Sequence, residues 1–233
     1  MHSNSSVASE LQLRTFRGKM KALIIDGYVD EPACFGVPPY ISPYIRYLAG
    51  AMREQGIHMQ DIFYSAIDSI RLNPKVHEKI IREADLVVII AGMTVPGKYL
   101  RSTPVSLEEL HILSRTATGK VVLGGPIRLG FSSEGGKRAS SLSGLENAYC
   151  CGADVEAFVY DLLNDGKLED PVNVTERFRS VQDIGRWAKK GAFIIRQHPD
   201  YPDVMCELET YRGCGRRKHC SFCTEPFYGS PDH

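Results

Sequence analysis

Apolar residues in this chain occur in short, dense runs separated by longer amphipathic stretches. The runs at residues 20–26 (MKALIID), 85–91 (DLVVIIA) and 120–124 (KVVLG) contain few polar positions and are too short for ordinary helices. Such runs are typical of strands buried on both faces of a parallel sheet. Residues 57–64 predict a further strand, and residues 148–151 predict a weaker one.

The stretches between these runs carry apolar residues at helical spacing. One helix is predicted to begin after Ser42, with a proline in its first turn, and to end at Gly56. Another has an S-x-x-E capping box formed by Ser106 and Glu109. The predicted helices after the first are residues 74–83, 106–118 and 154–163. Because strands and helices alternate, residues 20–165 predict an α/β, Rossmann-like domain with a parallel sheet.

The chain changes character on either side of this domain. Residues 1–19 are polar and lack the apolar core of a secretion signal, so we expect a disordered extension. Residues 166–203 combine a helical pattern at 175–190 with turn-forming prolines and predict a connecting segment. An alternating run from residue 204 predicts the first strand of a second domain, over residues 204–233.

Ligands of such sheets bind beyond the carboxyl ends of the strands. The loops expected there are residues 27–43, 92–104 and 124–136, and no G-x-G-x-x-G motif for a dinucleotide follows the first strand. Gly124 and Gly125 end the fourth predicted strand. Glycines at that point permit either the close approach of a ligand or a plain tight turn, and the pattern leaves both interpretations open.

Three cysteines lie within ten residues in the order C-x5-C-x2-C. Cys214, Cys220 and Cys223 follow the strand predicted from residue 204, so we expect them on the loop at its carboxyl end. Three converging thiolates suit a soft metal centre. If they ligate a cubane iron–sulfur cluster, one iron stays open to a substrate or cofactor. Phe222, next to the last cysteine, would shield such a cluster from water.

The three cysteines, with an aromatic residue before the last, resemble the cluster motif of radical S-adenosylmethionine (SAM) enzymes. Five residues separate the first two cysteines, where three are usual. The lead-in Arg212-Gly213-Cys214 and the preceding order of elements resemble the subgroup with an N-terminal cobalamin-binding-type domain. The resemblance implies a [4Fe–4S] cluster on the cysteines and SAM on the open iron. It also implies cleavage of SAM to a 5′-deoxyadenosyl radical, with an electron donor and an unidentified substrate as partners.

The same resemblance implies cobalamin beside Gly124 and Gly125, and with it methyl transfer to an unactivated carbon. The D-x-H-x-x-G motif that supplies a histidine to cobalt is absent, so cobalamin binding stays an open expectation. In the family a (β/α) barrel continues for several units after the cluster loop, whereas this chain ends ten residues after Cys223. We therefore expect the N-terminal fragment of a longer enzyme, with a truncated barrel and no activity of its own.

A zinc knuckle is the alternative from a different class. Cys206 or His219 would then supply the fourth ligand, and the chain would be a non-enzymatic Rossmann-like binding module with a zinc-stabilised tail. Two observations oppose it. Structural zinc sites usually pair two short knuckles, whereas one C-x2-C is present, and Cys206 is expected to face the core from its strand.

Composition narrows the partners and the location. The 28 basic and 28 acidic residues give no net charge, and hence no general attraction to nucleic acid or to membranes. No stretch approaches the about 20 apolar residues of a membrane span. Seven cysteines, an odd number with three clustered, indicate reduced thiols and a cytoplasmic location.

Overall fold

The structure is a computed structural model that describes residues 20–27, 39–92, 104–129, 145–208 and 216. Its regular elements within these ranges alternate along the chain as expected for an α/β protein. In chain order they are β1 (Ala22–Asp26), β2 (Tyr40–Ile41), α1 (Pro43–Glu54), β3 (Ile62–Ala66), α2 (Ile67–Leu72), α3 (Pro74–Glu83), β4 (Leu86–Ile90), α4 (Leu107–Thr116), β5 (Lys120–Gly124), β6 (Ala148–Cys150), α5 (Val155–Asn164), α6 (Val181–Lys190) and β7 (Met205–Cys206). Short 3-10 helices occur at Met59–Asp61, Pro126–Leu129, Pro171–Asn173 and Ala192–Gln197.

Five parallel strands form the main sheet in the order β3-β1-β4-β5-β6. In the register, Ile24 of β1 lies between Tyr64 of β3 and Val88 of β4. The chain passes from β1 to β3 on one side and then returns across β1 to β4. This doubly wound order reverses direction between β1 and β4, which makes that gap the topological switch point. The prediction of a Rossmann-like parallel sheet is confirmed.

The core consists of two apolar layers, one on each face of the sheet. Ile24 and its alternate neighbours pack against α1 and α5, whereas Leu23 and Ile25 pack against α2, α3 and α4. Every residue of β1 and β4 is buried. Burying one large aliphatic side chain contributes about 1.5–3 kcal/mol, so these two strands contribute strongly to the stability of the sheet.

Residues 166–208 fold back over the face covered by α1 and α5. Trp187 of α6 is fully buried between these two helices. The segment Ala192–Gln197 lies against β3, an edge strand. There the side chain of Gln197 accepts a hydrogen bond from the Tyr64 amide and donates one to the Ile62 carbonyl, both at 2.8 Å. This part of the predicted connecting segment thus packs on the sheet domain and covers a strand edge.

A second, two-stranded sheet lies just before α1. Strand β7 pairs with β2 in parallel, Tyr40 opposite Met205 and Ile41 opposite Cys206. Because α1 runs antiparallel to the strands that it connects, its first turn lies at the carboxyl edge of the main sheet. Strand β7 therefore brings the chain to that edge. None of the helices in the described ranges has the length and apolar character needed to cross a membrane.

Candidate functional site at the carboxyl edge of the sheet

The switch point places a buried acid at the end of β1. Asp26 is 3% exposed, and the phenol of Tyr64 donates a hydrogen bond to its Oδ2 at 3.1 Å. In doubly wound folds, ligands bind in the crevice outside this pair of strand ends. The arrangement sets a fixed negative or hydrogen-bonding group beneath that crevice. In the sequence, Asp26 is marked only as a polar residue at the end of an apolar run.

A buried histidine lies next to this acid–tyrosine pair. The ring of His198 stacks on Tyr64 with 5.9 Å between centroids, and its Nδ1 accepts a hydrogen bond from the Asp200 amide at 3.2 Å. Burial lowers the pKa of His198, and the nearby Asp200 carboxylate opposes this only in part. The ring is therefore neutral at pH 7, with its proton on Nε2. Sequence analysis missed this residue because it follows an irregular, proline-rich turn.

The packing of the protein itself accounts for Gly124 and Gly125. A Cβ on Gly124 would overlap with the side chain of Val155 at the start of α5. Gly125 has a φ of +91°, and a Cβ there would lie 3.0 Å from the Ala91 carbonyl oxygen. Both positions therefore need glycine to bring β5 against its neighbours. Their contact with cobalamin stays a prediction that the packing does not require.

A cluster of buried charged side chains lies beyond the end of β6, at the carboxyl edge of the sheet. The guanidinium of Arg179 pairs with Glu156 and lies 3.5 Å from Asp154, and all three side chains are at most 2% exposed. The Arg179 amide also donates to Asp154 at 2.9 Å. The rings of Tyr44 and Tyr47 lie 5.3 and 5.2 Å from the guanidinium. This cluster fixes the segment around Arg179 to α1 and α5.

The three cysteines of the predicted cluster motif, Cys214, Cys220 and Cys223, lie outside the described residues. Within the described ranges, no group of three His, Cys, Asp or Glu side chains could hold a metal ion. Cys206 is described, and it is exposed rather than buried. The expectation that it faces the core is wrong, because β7 pairs with the short β2 and not with the main sheet. One of the two arguments against a zinc site is thereby removed.

Strand β7 is fastened to the first turn of α1. Arg46 donates a hydrogen bond to the Glu207 carbonyl, and the Glu207 amide donates to the Ile41 carbonyl at 3.3 Å. Cys214 follows Glu207 by seven residues. At roughly 3.5 Å per extended residue, seven residues span at most about 25 Å. In the sequence, the cysteine segment thus follows shortly after a strand at the carboxyl edge.

Comparison with known proteins finds two archaeal relatives. The chain is 43% identical over 206 residues to an uncharacterized protein of Archaeoglobus fulgidus. It is 37% identical over 212 residues to an uncharacterized protein of Methanocaldococcus jannaschii. Both matches cover 88% of the chain but only 34% and 38% of the relatives, so the chain spans little more than a third of their length. No family model and no solved structure matches the chain.

Proposed function

We propose that this chain is part of a radical SAM enzyme in which Cys214, Cys220 and Cys223 bind a [4Fe–4S] cluster. The observation that carries the proposal is the C-x5-C-x2-C motif with an aromatic residue before its last cysteine. The thiolates would each hold one iron. When bound, the cluster would supply the electron that splits SAM into methionine and a 5′-deoxyadenosyl radical.

The fold supports this proposal through the position of β7. The strand is anchored at the carboxyl edge of the sheet and leads toward the cysteines within a short stretch of chain. Loops beyond strand ends are where α/β proteins place ligands. The greater length of both relatives leaves room for the barrel that such an enzyme requires. A cytoplasmic location, an electron donor and a separate substrate belong to the same proposal.

Cobalamin-dependent methyl transfer is the finer form of the proposal. Its support is the doubly wound fold, because the strand order matches that of domains that bind flat cofactors at the carboxyl edge. Gly124 and Gly125 add no support, since packing accounts for both. Fold alone does not determine a ligand, so titration with hydroxocobalamin, followed by its visible spectrum, is the direct test.

The test of the cluster uses anaerobic reconstitution of the full chain with iron and sulfide. We expect about four irons per chain and a broad thiolate-to-iron absorption. Both should disappear in Cys214→Ala and persist in Cys206→Ala, the matched control from the adjacent strand. If the chromophore persists in both variants, the iron is held by other residues and the assignment is refuted.

The exposure of Cys206 favours a second candidate, a zinc-stabilised binding module. A structural zinc site needs four ligands, and an exposed thiol eight residues before Cys214 can supply the fourth. This candidate predicts one zinc per chain, no visible absorption, and equal loss of metal in Cys206→Ala and Cys214→Ala. The same set of variants therefore distinguishes the two functions.

A further inference from the structure

Among the described residues, two arginines are buried on the α1 side of the sheet, and they differ in their ion-pair partners. Arg179 lies between two carboxylates, as described above. Arg46 is 7% exposed, yet among the described residues no carboxylate lies within ion-pair distance of it. One of its Nη atoms donates to the Glu207 carbonyl, and its buried Nε has no acceptor in the described part of the chain. A buried charge without a counter-ion is strongly unfavourable, so an anion at this site would stabilise Arg46.

The carboxyl group of Glu207 does not serve as that anion. Only its backbone carbonyl accepts a hydrogen bond from Arg46. Desolvation raises the pKa of Glu207, with no opposing effect from a neighbouring cation. A carboxylate paired with a guanidinium would show the reverse shift. The described part of the chain therefore supplies no carboxylate that neutralises the positive charge of Arg46.

The hydroxyl of Ser42 is a second buried group without a partner. Ser42 is the N-cap residue of α1 and is 3% exposed, yet its Oγ caps no backbone amide and has no hydrogen-bond partner among the described residues. An N-cap serine ordinarily accepts a bond from the second or third amide of the helix. The first turn of α1 also contains no acidic residue. The positive end of the helix dipole is therefore uncompensated by the first turn.

The positions of Ser42 and Arg46 in the sequence put both groups at the first turn of α1. Ser42 and Arg46 are four residues apart, and residues at this spacing lie one above the other on the same face of a helix. Helical side chains lean toward the N-terminus, which directs Arg46 toward Ser42. The bond from Arg46 to Glu207 agrees with this direction, because Glu207 in turn bonds to Ile41, just before the helix.

We propose that the first turn of α1 binds a phosphate group. Ser42 Oγ, the Nε–H of Arg46 and the amides of the first turn are the donors. A tetrahedral oxyanion would satisfy all three kinds of donor and neutralise Arg46. The location agrees, since the helix after the first strand of a doubly wound sheet is where phosphates are commonly bound. The phosphate is either inorganic or part of a phosphate ester. The inference does not depend on the cysteines and goes beyond the proposed function.

The experiment is calorimetric titration of the full chain with inorganic phosphate and, separately, with AMP and adenosine at constant ionic strength. Arg46→Met removes the charge and keeps the apolar stem. We expect it to weaken phosphate binding by about tenfold to hundredfold, the equivalent of one charge-assisted hydrogen bond. Ser42→Ala should weaken it by about threefold to tenfold, the equivalent of one neutral hydrogen bond. Arg53→Met is the matched control, because Arg53 also donates to a backbone carbonyl, that of Ile57, but at the other end of α1.

The three ligands distinguish a free phosphate ion from a phosphate ester. Tighter binding of AMP than of inorganic phosphate, with no binding of adenosine, indicates a phosphate ester. Equal or tighter binding of inorganic phosphate indicates the free ion. If Arg46→Met does not fold, Ser42→Ala decides, because the Ser42 hydroxyl makes no bond in the described fold that its loss could break. Absence of binding to the wild-type chain, or identical affinities in the wild type and Ser42→Ala, would overturn the proposal.

Discussion

Replacing Arg179 with methionine should destabilise the fold more than any surface change, because it leaves Asp154 and Glu156 buried without this cation. Removing one partner of a buried pair costs about 3–5 kcal/mol. Loss of the contacts with two tyrosine rings adds on the order of 1 kcal/mol. Burial of the methionine side chain returns about 1 kcal/mol, less than its full transfer value because the cluster is polar. We therefore expect a loss of about 4 kcal/mol at pH 7, a large part of the about 5–15 kcal/mol that stabilises an ordinary domain.

Urea unfolding at pH 7, followed by circular dichroism, measures this loss. A second substitution, Glu156→Gln, should recover part of the loss in the same background. Arg115→Met is the control: Arg115 pairs with Glu146 at the surface, so its loss should cost less than about 1 kcal/mol. Equal losses in Arg179→Met and Arg115→Met would refute the view that burial makes the cluster essential.

Two further predictions concern the segment that folds back over α1. Gly50→Ala places a methyl group against the backbone of α6 and should lower the free energy of unfolding in urea by about 1–3 kcal/mol. Gly185→Ala is the control, because its methyl group would lie in open space on α6 and should be neutral or slightly stabilising. Equal effects of the two substitutions would contradict the close approach of α1 and α6. Burial lowers the pKa of His198, so the unfolded chain binds a proton there at a higher pH than the folded chain does. Stability should be full above about pH 6.5 and fall below it. His198→Gln should reduce this dependence to the part that His77 contributes, since burial also lowers the pKa of His77. An unchanged slope would exclude His198 as a source.

The sequence pattern predicted a strand or a helix start correctly where residues close in the sequence determine it. The run KVVLG corresponds to β5 without any shift, because a dense apolar run has no alternative to a buried strand. The capping box is present as predicted, with the Glu109 amide bonded to the Ser106 hydroxyl and the Ser106 amide to the Glu109 carboxylate. Both features depend on contacts within a few residues.

Contacts between distant residues decided what the sequence pattern did not predict. Helical spacing continues back to residue 175, yet α6 begins at Val181, because Arg179 is drawn into the buried pair with Glu156 and Ser180 caps the helix instead. Cys206 lies on a strand as predicted, but its partner is a two-residue strand 165 residues earlier, which leaves its side chain exposed. In the sequence Ser42 is an ordinary N-cap residue. Only the three-dimensional arrangement shows that its hydroxyl caps nothing.

Arg46 connects the two proposed sites. Its guanidinium holds the carbonyl of Glu207, and through it the strand that leads toward Cys214. Its Nε–H has no acceptor in the described part of the chain and is one of the donors proposed to bind the anion at the first turn of α1. A bound phosphate would fix the orientation of the guanidinium, because the planar fork of arginine uses both its edges in one geometry. The same anion would then stabilise the pairing of β7 with β2, which is otherwise two residues long. A phosphate at the carboxyl edge would thus stabilise the strand that precedes the cysteine segment in the sequence.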